Sequence, residues 1–144
     1  MNVHSTTETC LFYSCAITSF LESRVDTYVA NLEPFFGADP GTLEWLENTW
    51  LPEEQEHGKL MKQYVQKKWP NFSWDQGFME FSKLYIPQCA TEKLRKSIGL
   101  EALARCVTET EATMIYRCLA SYSTDPELTS TLKRMSTDEV RHYR

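Results

Sequence analysis

The sequence predicts an all-α fold, a four-helix bundle with a short extra helix between the second and third bundle helices, and three observations lead there. Apolar residues recur at helical spacing over several long stretches, and no stretch shows strand-like alternation. Glycine and proline fall mostly between those stretches. Two of the three histidines follow a glutamate by three residues, in Glu54-Gln55-Glu56-His57 and Glu139-Val140-Arg141-His142, a spacing that puts both side chains on one helix face. The chain of 144 residues suits one domain, 1–144, with a sizeable core; it is read either as a minimal bundle or as a fragment of something longer.

The first helix spans about Cys10 to Leu32, marked by Leu11, Cys15, Thr18, Val25, Val29 and Leu32, with no glycine or proline before Pro34. Glu22 lies in that stripe where the period calls for an apolar residue. A buried carboxylate is costly unless it binds something, so Glu22 is a candidate ligand. Phe35 to Pro40 reads as a turn, with Asp39 as cap and Pro40 in the first turn of a second helix. That helix carries Trp45 and Trp50 and meets Pro52, which should kink or restart it one turn before the first E-x-x-H pair. Positions 50, 54, 57, 61 and 64 then form one stripe, so Glu54 and His57 face inward.

Pro70 to Gly77 reads as a loop, and Phe78 to Tyr85 as a short aromatic-rich helix stopped by Pro87. The third long helix runs from Leu100 to about Tyr122 and offers two glutamates. Leu100, Leu103, Ala104, Val107, Met114 and Cys118 line the Glu111 face. Ala102, Cys106, Glu109, Ala112, Thr113 and Tyr116 form a second face of small and polar residues with room for a metal and its water. Periodicity favours Glu111 but does not settle the choice. Asp125 and Pro126 start the fourth helix, on which Leu128, Leu132, Met135, Glu139 and His142 share a stripe.

These side chains point to a metal. Two iron ions close together need hard, anionic ligands able to bridge, which glutamate supplies, while histidine completes each ion and leaves positions open for oxygen. Glu22, then Glu54 with His57, then one glutamate of the third helix, then Glu139 with His142 make four carboxylates and two imidazoles in the order found in di-iron carboxylate bundles. Asp138 and Arg141 are the nearest candidates to hold the last helix around its ligands.

At these residues the chain resembles the ferritin-like superfamily, and within it the soluble acyl-carrier-protein desaturases. Trp50-Leu51-Pro52-Glu53-Glu54-Gln55-Glu56-His57-Gly58 is similar to that family's W-x-x-E-E-x-x-H-G, and Asp125-Pro126 followed by Asp138-Glu139-Val140-Arg141-His142 to its D-P followed by D-E-x-x-H. In this register the family's third-helix glutamate falls on Glu109, with Glu111 as the substitute. The family carries a threonine three residues after that glutamate; Ala112 stands there, and Thr113 is one place on. The resemblance covers the four-helix core and not the outer helices that shape an acyl channel.

What the resemblance implies is a non-haem di-iron oxidoreductase that uses dioxygen to desaturate or oxygenate an organic, apolar or amphipathic substrate such as an acyl chain. Its cofactor would be two Fe ions cycling between Fe2+ and Fe3+, with Mn as the alternative metal, and it would need an external electron donor. Thr113 is a candidate for oxygen or proton handling, and Tyr116 for a hydrogen-bond donor or radical site. Two other readings compete: iron oxidation, storage or peroxide removal as in ferritins and rubrerythrins, and a non-catalytic metal-binding bundle. The formal net charge of -5 gives no basic footprint for nucleic acid. No apolar run approaches bilayer length, and the start MNVHSTTETC lacks a signal peptide's basic and apolar regions, so a cytoplasmic protein without a membrane span is expected. A homodimer is compatible with all of this. Five cysteines at scattered spacings read as reduced thiols in apolar faces.

Overall fold

The computed structural model describes residues 3–94 and 96–143, and the described residues are all-helical, with no strand among them. The α-helices are α1 (Val3–Glu22), α2 (Val25–Phe36), α3 (Pro40–Trp45), α4 (Leu51–Lys68), α5 (Trp74–Tyr85), α6 (Ile98–Tyr122) and α7 (Pro126–His142). The chain forms two compact units, Phe12–Ile98 and Met1–Leu11 with Gly99–Arg144. No helix among the described residues is long and apolar enough to cross a membrane.

In Phe12–Ile98, α1 and α2 run antiparallel to α4. Phe12 meets the Trp69 ring edge-on at 5.1 Å, Glu22 and Ser23 lie against Gly58, and Tyr28 meets Trp50 at 6.2 Å, so numbers rise on one side as they fall on the other. Helix α5 runs in the same direction as α1 and α2. Trp74 Nε1 donates to Ser19 Oγ at 2.8 Å, Phe20 and Phe78 are 6.0 Å apart, and Arg24 Nη2 donates to Ser82 Oγ at 2.9 Å. Val25, Val29, Leu32, Phe36, Leu46 and Trp50 form a buried apolar cluster.

The long first helix expected from periodicity is two helices. α1 begins earlier, at Val3, and ends at Glu22; Arg24 N then bonds Leu21 O at 3.0 Å, a tight turn that separates α1 from α2. α2 continues past Pro34 because Phe36 is buried with Val29 and Leu32. Pro52 does not restart the second helix. It lacks the N–H that would bond back one turn, and its ring would crowd that carbonyl. The chain answers by widening Leu46–Trp50 into a π turn, in which Leu51 N bonds Leu46 O. Helix continues without a gap from Pro40 to Lys68.

α5 also starts earlier than composition suggests, at Trp74, and takes in Gly77. A Cβ at Gly77 would stand 2.9 Å from both Phe20 Cζ and Phe72 Cζ, so this glycine serves close packing of aromatic rings and not a loop. Trp50 belongs to the buried cluster, whereas Trp45 is 36% exposed.

In the other unit α6 and α7 make an antiparallel hairpin. Glu109 faces His142 and Arg117 faces Ser136, again with one number rising as the other falls. The short link 123–125 is closed by Asp125, whose Oδ1 accepts from Glu127 N at 2.9 Å and Leu128 N at 3.4 Å, while Pro126 sits where its missing N–H costs nothing. Leu128, Leu132 and Met135 are fully buried, as the α7 stripe requires.

Candidate functional site

Each unit carries its own cluster of two glutamates and one histidine. In Phe12–Ile98 these are Glu22 at the end of α1 and Glu54 with His57 on α4, with one donor atom from each within 4.8 Å of the others. His57 Nδ1 lies 3.8 Å from Glu54 Oε2, and the two residues are 1% and 4% exposed. Two local features set this geometry. The π turn fixes the phase at which α4 presents Glu54 and His57. Gly58, next to His57, admits the backbone of the α1–α2 turn, because a Cβ there would stand 2.8 Å from both Glu22 C and Ser23 N. Glu22 can approach α4 only because that side chain is missing.

In the other unit the cluster is Glu109 on α6 with Glu139 and His142 on α7, again with donors within 4.8 Å of one another. His142 Nδ1 lies 2.9 Å from Glu139 Oε2 and 3.5 Å from Glu109 Oε2. The His142 and Glu139 side chains are each 1% exposed. Glu109 is buried and Glu111 is exposed, so it is Glu109 that joins the cluster. Thr113 and Tyr116, one and two turns further along α6, are buried on the same face as Glu109.

The donor set fits a hard divalent cation. Each cluster offers carboxylate oxygens and one imidazole nitrogen, and two carboxylates with a neutral imidazole carry a charge of -2, which one such ion cancels. Donors bound at ~2.1 Å and at right angles stand ~3 Å apart. The 2.9 and 3.5 Å separations around His142 are close to that; the 3.8 Å separation at His57 is looser. Burying two carboxylates together without a compensating charge is expensive. Thr113 Oγ1 is a further sign: it is buried and has no hydrogen-bond partner among the described residues, which calls for a water or a bound group beside it.

Glu101, outside the E-x-x-H pattern, is 1% exposed and pairs with Arg105 Nε at 3.0 Å. The sequence carries a signal for it, since Glu101, Arg105, Glu109 and Thr113 follow one another at four-residue steps on α6. Asp138 pairs on its own helix, with Arg141 Nη2 at 2.8 Å. All five cysteines are free thiols; Cys15 and Cys89 are buried as expected, whereas Cys10 and Cys118 are exposed. Burial pushes the Cys15 thiol up to about 12, which keeps it protonated at neutral pH. No family model, curated protein or solved structure matches the chain.

Proposed function

We propose that the chain is a non-haem di-iron oxidoreductase built as a ferritin-like four-helix bundle with a short extra helix, and that it oxidises an organic, amphipathic or acyl-chain substrate with dioxygen. One observation carries the reading: the motif Glu plus E-x-x-H occurs twice, and each copy gathers its three side chains into a cluster with the same donor set, buried but for the half-buried Glu22. That the two clusters work as one centre is drawn from their order along the chain, Glu22, Glu54 with His57, Glu109, Glu139 with His142.

Iron held by these residues would supply the electrons that reduce dioxygen, with an external donor to restore it. The protein's own groups do the rest. Glu22, Glu54 and His57 would hold one ion, and Glu109, Glu139 and His142 the other, each set cancelling the charge that makes its burial costly. His142 must present Nδ1 as a lone pair to a metal; the same nitrogen, when protonated, donates to Glu139 and holds the cluster together without one. The Thr113 hydroxyl, buried beyond Glu109 on α6, can donate or accept a proton there, and the Tyr116 hydroxyl is one turn further.

The test is metal content and optical absorption of protein grown with iron, reduced without air and then exposed to it, beside His57→Ala and His142→Ala. Two irons per chain, magnetically coupled by Mössbauer spectroscopy, and loss of the coupled signal in either variant are expected. Wild-type protein without stoichiometric iron refutes the proposal, and two uncoupled irons refute the single centre. Uptake and oxidation of many ferrous ions per chain would assign iron storage instead.

A further inference from the structure

The two clusters differ in how their carboxylates meet water. Glu109 and Glu139 are buried, whereas Glu22 is half-buried. Glu22 is also the last residue of α1, at a turn, while Glu109 stands in mid-helix. An open groove of about 460 Å³ lies between that turn, α4 and the start of α5, lined by Ser23, Asp26, Gln55, Lys59, Trp74 and, alone among the candidate ligands, Glu22. In the other unit, a groove lined by Ser123, Thr129 and Lys133 opens at the start of α7, whereas Glu139 and His142 are at the end of that helix.

We propose that the ion held by Glu22, Glu54 and His57 is the exchangeable one, entering and leaving through the groove beside Glu22, and that the ion held by Glu109, Glu139 and His142 is retained. The supply of free divalent cation then sets whether the chain carries one ion or two. The inference rests on the reading of each cluster as a ligand set, but not on iron or dioxygen. An ion departs when one ligand lets go and water takes its place. A released Glu22 carboxylate swings into the groove and is hydrated there. A released Glu109 or Glu139 carboxylate stays buried with its charge uncompensated, which is the costly state. The spacing of the donors acts in the same direction: His57 Nδ1 lies 3.8 Å from Glu54 Oε2, against 2.9 Å between His142 Nδ1 and Glu139 Oε2. The groove also suits a cation. Its walls carry the carboxylates of Glu22, Asp26 and Asp75 against the ammonium groups of Lys59 and Lys62. Both lysines are drawn to acids, Lys62 Nζ lying 3.1 Å from Asp75 Oδ1 and 3.9 Å over the Trp74 ring, and Lys59 Nζ 3.5 Å from Glu56 Oε2. Trp74, fixed by its bond to Ser19 Oγ, gives the groove a firm wall.

The test loads the whole chain with cobalt(II) and mixes it with excess terpyridine, a neutral chelator, while formation of the cobalt chelate is followed. Two phases are expected, the fast one at least ~10-fold faster because its departing carboxylate is hydrated and not buried. His57→Ala should lose the fast phase alone, and His142→Ala the slow phase alone. Gln55→Trp, a change at an exposed position in the groove that supplies no ligand, sets an indole beside Glu22. It should slow loading and release of the fast ion several-fold and in equal proportion, leaving affinity unchanged; damage to the ligand set would change affinity instead. Two ions released at one rate, a fast phase that survives His57→Ala, or Gln55→Trp protein with wild-type rates would each overturn the proposal while the metal sites stand. Wild-type protein that binds no cobalt would overturn the reading of the clusters themselves, and this inference with it.

Discussion

Replacing Gly58 by alanine isolates the contact that brings Glu22 to α4. An added Cβ would stand 2.8 Å from Glu22 C, 2.8 Å from Ser23 N and 3.0 Å from Ser23 Oγ. Ordinary contact begins at 3.4 Å, so the two helices must part by about 0.6 Å, and two of the three obstacles are backbone atoms that no rotamer change can move. Overpacking of this kind costs about 1–3 kcal/mol, here towards the upper end. Alanine in a helix interior returns about 1 kcal/mol relative to glycine. The net is a loss of about 1–2 kcal/mol, which lowers Tm by roughly 5 °C. The same displacement moves Glu22 away from Glu54 and His57, so metal affinity should fall with it. Thermal melting followed by circular dichroism, together with metal content, reads both effects. Gly99→Ala is the control, because a Cβ there meets nothing within 4 Å. A Gly58→Ala protein as stable as the wild type and as rich in metal would refute the close-approach reasoning.

Two other expectations follow from burial. Thr113→Val removes a buried hydroxyl that has no hydrogen-bond partner among the described residues, so stability should hold or rise by about 1 kcal/mol, with iron loading intact and the reaction with dioxygen slowed; destabilisation by about 2 kcal/mol on chemical denaturation would show that the hydroxyl is bonded in the folded protein. The Cys15 thiol, raised from 9.0 to about 12 by burial, should resist iodoacetamide at pH 8 while Cys10 and Cys118 react, as peptide mapping would show. Because the folded protein holds that proton more tightly than the unfolded chain, the stability linked to it is complete below pH 9 and is lost as pH rises from there towards 12.

How far the sequence could be read depended on whether each helix turns its apolar side inward. α7 does, and its start at Pro126, its cap Asp125 and its inward Glu139 and His142 were all legible from residue types and spacing. α6 does not. Periodicity alone pointed to Glu111 because Leu100, Leu103, Val107 and Met114 share its face, and the assumption that such a face is buried fails here: all four are more than half exposed. The small and polar residues around Glu109 were the better guide. Elsewhere the losses came from side chains acting across space. Gly77 reads as a loop residue until Phe20 and Phe72 are seen pressed against it, and Pro52 reads as a kink or restart until the wider turn before it is seen to absorb the clash.

That wider turn also has a consequence for how the protein can change over time. A π turn holds one residue more than an α turn, and each residue of an α-helix accounts for about 100° of rotation. Leu46–Trp50 therefore works as a seam between two rulers: Leu46 on its upstream side can keep its hold on Val29 and Leu32 while the downstream ruler, bearing Glu54 and His57, is set to a different angle. Insertions or deletions on either side of the seam can be absorbed where the register is already broken, so the apolar anchor and the acidic pair are free to drift separately. A straight helix would have tied them together.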